Sequence, residues 1–211
     1  AADDLGNVYV ESVVSGGRPI LQYGAGLTPK QNVAATAYDI SRDLLATPDG
    51  SVVIDHAFTK PGAVVHYRPN AFSAFDSLGI TLRGLAVESS GVHPVTGDLW
   101  FSSGPGGSVQ PNSDPVVETF YQPYTWYAYA LEDLLVMDNG VVTGTVENPT
   151  PRDSIVVADA WAGTAAGPRG IAFSADGNTA YVASFGVAFD AGELKKFVRG
   201  AVAAEGGPAA E

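Results

Sequence analysis

The chain has 211 residues, of which 45% are apolar, and a formal net charge of −12 from 23 acidic and 11 basic side chains. A chain of this length and composition is expected to fold around a core, and its negative charge disfavours nucleic acid and anionic membrane surfaces as partners. Because cysteine is absent, disulfides, thiolate metal sites and cysteine nucleophiles are excluded within the chain.

Turn-forming residues are frequent, with 25 Gly and 14 Pro, and β-branched and aromatic residues occur in short bursts. Helical periodicity is scarce, so the pattern favours an all-β fold. No apolar run reaches the length of a membrane span. The first residues, Ala1-Ala2-Asp3-Asp4, resemble what remains after signal-peptide cleavage, which predicts an extracellular, periplasmic or cell-surface protein.

A hairpin-like unit recurs along the chain. Its clearest copy covers residues 168–184, in which Asp176-Gly177-Asn178 supplies a tight turn between two extended segments. Related copies cover residues 42–55 and 83–103, and a partial copy covers residues 6–12. Each copy is followed by an alternating segment that predicts an outer strand; these segments are residues 20–23, 63–67, 126–130 and 194–198.

An arginine begins each full copy and sets the period. Arg42 and Arg83 are 41 positions apart, and Arg83 and Arg169 are 86 apart, about twice that spacing. A period of about 40 to 45 residues with about four strands per unit is typical of β-propeller blades. The double gap has two explanations, a degenerate blade or insertions into one blade.

Insertions are favoured because only one outer-strand match lies in the double gap. The inserted segments would be residues 104–122 and 148–167, which are loop-like in composition. A short strand is expected within the second insertion, at residues 154–158. Residues 141–146 are predicted to form the innermost strand of the last blade.

The best-preserved copy allows a family resemblance to be named. Residues 168–177 (Pro-Arg-Gly-Ile-Ala-Phe-Ser-Ala-Asp-Gly) and 181–184 (Tyr-Val-Ala-Ser) resemble the YVTN-type β-propeller repeat, and residues 6–12 with 20–23 are similar to NHL and SMP-30-like repeats. The resemblance implies an all-β propeller of four-stranded antiparallel blades. This superfamily includes lactonases, ligand binders, cell-surface proteins and partners of redox proteins, so it indicates a fold and no single activity.

Three full copies and one partial copy predict four to five blades over residues 1–200. These blades would form either an incomplete, fragmentary ring or a compact ring closed by pairing its two ends. Residues 201–211 are rich in Ala, Gly and Glu and predict a flexible C-terminal tail.

Two sets of residues are candidates for ligand binding. Arg42, Arg83 and Arg169 are predicted to begin second strands, on the face that also bears both insertions, where they could hold an anionic ligand; the alternative is that each binds a neighbouring blade. Near the first insertion, Tyr121, Tyr124 and Trp126 predict a stacking platform for a sugar ring or a protein partner. Core packing is the alternative for these aromatic residues.

Glu11, Asp55 and Asp43 are candidate ligands for Ca²⁺ or another hard cation, with Glu11 and Asp55 in matching positions at the ends of third strands. SMP-30-like lactonases hold their metal near the channel, but no residue-by-residue match is visible here. Solvated surface carboxylates are the alternative. No serine lies in a Gly-x-Ser-x-Gly elbow. Three histidines lack the spacing of metal ligands; they are His56, His66 and His93.

Together these features predict a secreted or cell-surface, non-catalytic β-propeller that binds a protein partner or a small or saccharide ligand on the face with the insertions. A metal-dependent lactonase or hydrolase of the SMP-30-like kind, which uses a channel metal and an activated water, is an alternative. It would need at least three convergent carboxylate or amide ligands in the channel. A structural subunit of a larger extracellular assembly, joined by further blades or other subunits, is a second alternative.

Overall fold

The computed structural model describes residues 1–12, 19–34, 41–57, 63–70, 72–80, 82, 87–103, 124–158, 168–184 and 193–200. Strands dominate these residues, and the helical segments are a 3-10 turn at Ala25–Leu27 and the short helix α1 at Leu131–Leu134. No helix in the described ranges is long and apolar enough to cross a bilayer. The all-β prediction is therefore confirmed.

Apart from one two-stranded sheet, the strands of the described residues form four antiparallel sheets that follow one another along the chain. Sheet 1 contains β1 Val8–Glu11, β2 Ile20–Tyr23 and β3 Pro29–Ala34. Sheet 2 contains β4 Ser41–Ala46, β5 Val52–Ala57, β6 Ala63–Tyr67 and β7 Asp76–Ile80. Sheet 3 contains β8 Val87–Val92, β9 Leu99–Ser103, β10 Tyr124–Tyr129 and β13 Asp153–Ala158. Sheet 4 contains β14 Pro168–Phe173, β15 Thr179–Ser184 and β16 Glu193–Val198.

All four sheets have a tight glycine turn near their beginning, and the turn of sheet 3 is one residue longer than the other three. Each turn glycine lies at positive φ, between 66° and 77°, and its N–H donates to the carbonyl of the residue that opens the turn. Glycine is favoured because L side chains are strained in this conformation. The opening residue and glycine pairs are Asp3 and Gly6, Thr47 and Gly50, His93 and Gly97, and Ser174 and Gly177. The turns at Gly50, Gly97 and Gly177 repeat as the sequence predicts, and the turn at Gly6 was not predicted.

The order of strands differs from the prediction by one position. Arg42 lies in β4 and Arg169 lies in β14. Each of these strands is at the edge of its sheet and is the first strand, whereas the sequence predicts the second. The shift arises because the outermost strands β3 and β7 were not predicted; they are polar and contain Pro29 and Gly79. Polar residues and proline are common on edge strands because they discourage further pairing. The strand expected at residues 154–158 is confirmed as β13.

A separate hairpin follows α1. It consists of β11 Leu135–Asp138 and β12 Val141–Thr145, which pair with each other. The prediction that residues 141–146 form the innermost strand of a later sheet was wrong. Asn139 and Gly140 both lie at positive φ, at 51° and 80°, and an Asn-Gly pair in this conformation is the favoured connection of a two-residue hairpin.

Three hydrophobic clusters join neighbouring sheets face to face. Between sheets 1 and 2 the buried residues are Tyr9, Ile20, Val33, Ala46 and Val53. Between sheets 2 and 3 a larger cluster includes Leu45, Ile54, Val65, Leu99, Phe101 and Tyr129. Between sheets 3 and 4 it contains Trp100, Trp126, Ala128 and Val182. At one end of the sheets, β4 contacts both β1 and β8, and β8 contacts β14.

Candidate functional site

A cavity of about 410 Å³ opens between sheets 3 and 4. Its lining comes from the two turns that join β8 to β9 and β14 to β15, from β9 and β13, and from the end of β16. The aromatic part of the lining consists of Trp100, Phe173 and Phe197. The cavity therefore combines turn backbone, aromatic rings and, at its rim, charged side chains.

His93 fixes the floor of this cavity. Its Nδ1 accepts hydrogen bonds from the backbone N–H groups of Val95 and Thr96, at 3.3 and 3.1 Å. Nδ1 must then be unprotonated, so Nε2 carries the hydrogen and donates to the carbonyl of Gly177 at 3.0 Å. The ring also packs edge-on against Phe173, with centroids 4.9 Å apart. His93 thus links the turn of sheet 3 to the turn of sheet 4.

Arg152 stands at one side of the rim, just before β13. It donates to the carboxylates of Asp133 and Glu132, and Asp98 lies 3.8 Å away. Hydrogen bonds from the guanidinium to Asp133 and Glu132 raise the pKa of Arg152 above its ordinary value. These contacts hold the guanidinium near the cavity without burying it, since about half of the side chain is exposed.

Arg199 stands at the other side of the rim, directly after β16. Its backbone N–H donates to the carbonyl of Asn178 at 2.9 Å, and its guanidinium lies 3.4 Å from the carboxylate of Asp153. Two arginines and two aspartates, Asp98 and Asp153, therefore line the same cavity. The formal charges of the lining balance.

Trp100 lines the wall of the cavity and carries a buried indole N–H group. The residue is 4% exposed, and its indole Nε1 has no hydrogen-bond partner among the described residues. A buried N–H group without an acceptor costs on the order of 1–3 kcal/mol. Trp126 also has a buried indole Nε1 without a partner there, but it does not line the cavity.

Of the six predicted ligand-binding residues, the structure describes the side chain of Trp126 alone, and Trp126 does not line this cavity. Trp126 is 0% exposed and packs between sheets 3 and 4, so it occupies the core. Arg83 and Tyr121 lie outside the described residues. For Arg42, Arg169 and Tyr124 the structure describes the backbone, in β4, β14 and β10, but not the side chain.

The predicted metal ligands are also not assembled. Among the described residues, no group of three or more His, Asp or Glu side chains could hold a metal ion. Asp43 instead accepts hydrogen bonds from the backbone N–H of Ser90, at 2.8 Å, and from its hydroxyl, at 3.0 Å, which ties sheet 2 to sheet 3. Asp55 contacts His66. Glu11 and Asp55 each lie five positions after a turn glycine, but Glu11 is on the first strand of sheet 1 and Asp55 is on the second strand of sheet 2, not on third strands.

Sequence reasoning missed Arg152, Arg199 and His93 as neighbours of one cavity. The turn at Asp176-Gly177 also belongs to this site, because Gly177 lines the cavity. A weak signal was present, because Arg68 and Arg199 each directly follow an outer-type strand. No protein-family model matches this sequence, and the search of curated proteins finds no match either. Function therefore has to be argued from the geometry.

Proposed function

We propose that the chain is a secreted or cell-surface binding module without catalytic activity at this cavity, and that its ligand is a neutral, polyhydroxylated molecule such as a saccharide. The observation that carries the proposal is the indole of Trp100, which lines the cavity and whose buried N–H has no acceptor among the described residues. An indole N–H can only donate, so a ligand oxygen that reaches it through a small shift of the cavity wall would satisfy it.

The charges of the lining support a neutral ligand. Arg152 and Arg199 are each already close to carboxylates, so a strongly anionic ligand would have to displace Asp133 or Asp153. Sugar hydroxyls both donate and accept, and they can bridge such ion pairs without breaking them. Phe173 and Phe197 add apolar surface against which a sugar ring can pack.

A β-propeller arrangement is part of this proposal. Two observations support it. Four sheets, each with a glycine turn, pack face to face in chain order, and their edge strands contact one another in the same order. An acidic chain with four lysines supports an extracellular setting.

A matched pair of tryptophan variants tests the binding site. The probes are the methyl glycosides of glucose, galactose, mannose and N-acetylglucosamine, each titrated against the full chain by isothermal calorimetry. Binding of at least one glycoside is expected to weaken about tenfold in Trp100→Phe, which keeps an aromatic ring but removes the donor. Trp126→Phe makes the same change outside the cavity and should leave binding unchanged. Equal weakening in both variants, or no binding by any glycoside, would contradict the proposal.

A structural subunit remains the second candidate because of one face of sheet 4. Tyr181, Leu194 and Val198 are 39%, 72% and 64% exposed and lie on the face opposite Val182. A second copy of the chain would bury this apolar face. Sedimentation velocity should then show a dimer that Leu194→Asp dissociates, whereas a monomer at all concentrations would exclude this candidate. The metal-dependent lactonase has no comparable support among the described residues.

A further inference from the structure

Three side chains on adjacent strands of sheet 2 form a hydrogen-bonded chain. Asp55 Oδ1 lies 2.8 Å from His66 Nε2, and His66 Nδ1 lies 2.7 Å from the hydroxyl of Ser77. The three residues come from β5, β6 and β7. Because His66 pairs directly with both Val53 and Ser77 in the strand register, these side chains share the face of sheet 2 that packs on sheet 1.

Burial decreases along this chain of contacts. Asp55 is 0% exposed and His66 is 2% exposed, whereas Ser77 is exposed on the edge strand β7. The acidic end therefore lies buried between two sheets, and the residue at the hydroxyl end is exposed. This gradient distinguishes the arrangement from a hydrogen bond that is buried at both ends.

The directions of the hydrogen bonds follow from the chemistry of each group. With a carboxylate at Asp55, which can only accept, and a neutral ring at His66, the hydrogen of His66 lies on Nε2. Nδ1 then holds a lone pair, and the hydroxyl of Ser77 must donate to it. The Ser77 oxygen is left with its own lone pairs directed away from the imidazole. A hydroxyl beside a base that is oriented by a third group is the arrangement of an activated nucleophile.

We propose that Ser77 is a nucleophile for acyl transfer from small carboxylic esters, with His66 as general base and Asp55 as the positioning residue. Serine hydrolase triads use the same three side chains, with the acid on Nδ1 and the serine on Nε2. The two nitrogens are exchanged here. Since either imidazole nitrogen can accept a proton while the other donates, the exchange preserves the relay.

The reaction balances with an ester and water alone. Ser77 Oγ bonds to the ester carbonyl carbon while its proton passes to His66 Nδ1, and Asp55 stabilises the resulting imidazolium. The ester C–O bond then breaks, and the leaving alcohol takes the proton from Nδ1. Water attacks the acyl group on Ser77 and gives a proton to Nδ1; the carboxylic acid leaves as that proton returns to Ser77 Oγ. This activity is separate from ligand binding between sheets 3 and 4.

Covalent labelling of the full chain tests the nucleophile. With a fluorophosphonate probe, Ser77 Oγ should displace fluoride at phosphorus, and tandem mass spectrometry should locate one adduct on Ser77. Ser77→Ala should abolish the adduct and lower p-nitrophenyl acetate turnover about a hundredfold, the lower end of a positioned base's contribution. Ser73→Ala is the matched control in the same segment and should change neither reading. No adduct on Ser77, or equal turnover in wild type and Ser77→Ala, would overturn the proposal.

The roles of His66 and Asp55 are tested by spectroscopy and by one further variant. In the wild type, ¹⁵N NMR of the imidazole should show the neutral ring protonated on Nε2. Asp55→Asn can present an N–H to Nε2, so it is expected to move the hydrogen to Nδ1 and to lower labelling of Ser77 about a hundredfold. The opposite tautomer in the wild type overturns the relay whether or not the variant folds. An unchanged labelling rate in a folded Asp55→Asn protein also overturns it.

Discussion

The junction between sheets 1 and 2 and the junction between sheets 3 and 4 use the same turn and the same arginine position. Arg68 follows β6 and donates its backbone N–H to Ser51, the residue after the turn glycine Gly50. Arg199 follows β16 and donates its backbone N–H to Asn178, the residue after Gly177. Both bonds are 2.9 Å long. The two arginines are therefore structural equivalents.

The side chain of Arg68 is buried, whereas the side chain of Arg199 is exposed. Arg68 is 4% exposed, donates from Nε to the carbonyl of Gly50 at 2.8 Å, and covers the ring of Phe75. The side chain of Arg199 is 62% exposed, because the equivalent carbonyl, that of Gly177, already accepts from His93. One junction is closed by its arginine, and the other keeps a cavity.

The difference arises at the residue that opens the turn of the preceding sheet. In sheet 1 this residue is Asp3, whose carboxylate lies against Gly50 next to the guanidinium of Arg68. In sheet 3 it is His93, whose imidazole lies against Gly177. A carboxylate at this position leaves the glycine carbonyl available to arginine, whereas an imidazole donor occupies it. The two junctions therefore differ in the side chain that opens the preceding turn, and the turn opened by His93 is also one residue longer than the turn opened by Asp3.

The largest expected effect comes from removing the two arginines in turn. Arg68→Met keeps much of the apolar stem but leaves the buried carbonyl of Gly50 without this donor, so unfolding free energy should fall by roughly 3 kcal/mol. Arg199→Met removes a mostly exposed side chain and should change stability by less than about 0.5 kcal/mol. Urea unfolding measures both. Losses of equal size would show that the two junctions do not differ as described.

A smaller effect is expected from adding a methyl group to the turn glycines. A Cβ at Gly177 would lie 2.3 Å from His93 Cε1, whereas a Cβ at Gly97 would meet no atom within 4 Å. Both glycines have positive φ, so both alanine variants carry about 1–2 kcal/mol of backbone strain.

Gly177→Ala must also displace His93. Its free energy of unfolding is therefore expected to be about 1 kcal/mol lower than that of Gly97→Ala. Thermal unfolding of the two variants measures the difference, and glycoside binding reports whether the cavity moves with His93. Equal stabilities would mean that the His93 side chain moves away without lowering the free energy of unfolding. The contact between His93 and Gly177 would then contribute little to stability.

The turns could be predicted from sequence and the strand order could not, for physical reasons. Gly50 and Gly177 each follow an aspartate in a local pattern that only a tight turn satisfies. Strand β7 has no such pattern. It is an edge strand with mostly exposed side chains, among them Asp76 and Ser77, so burial does not require an alternation of apolar and polar residues there. Missing β7 also concealed Ser77, whose meeting with His66 depends on register between strands.

The cavity lay beyond sequence reasoning because its residues are distant along the chain. About 50 residues separate Trp100 from Arg152, and about 50 more separate Arg152 from Arg199. These side chains come together only where sheet 3 packs on sheet 4. The same limit applied to the acidic residues. The sequence predicts Asp43 and Asp55 as ligands of one cation site. In the structure Asp43 accepts a hydrogen bond from Ser90 of sheet 3, whereas Asp55 contacts His66 on the neighbouring strand.

The smallest expected effect concerns the charge of Asp3 in the sealed junction. Asp3 accepts hydrogen bonds from the side chain of Asn7 at 2.7 Å and from Tyr9 at 2.8 Å. Burial alone would raise the pKa of Asp3, but the hydrogen bonds from Asn7 and Tyr9 outweigh it and hold this pKa below its ordinary value. Burial, with the hydrogen bond to Asp3, raises the pKa of Tyr9 to about 12.

Asp3→Asn keeps the shape but not the charge and should cost about 1 kcal/mol near neutral pH. A lowered pKa in the folded state means that the charged form stabilises the fold above the ordinary carboxyl range, and that this contribution is lost as pH falls through the folded pKa. The stability difference between wild type and Asp3→Asn should therefore be constant between about pH 6 and 8 and shrink below about pH 4. Urea unfolding across this range measures it, and a difference that grows on acidification would contradict the proposed role of the charge in sealing this junction.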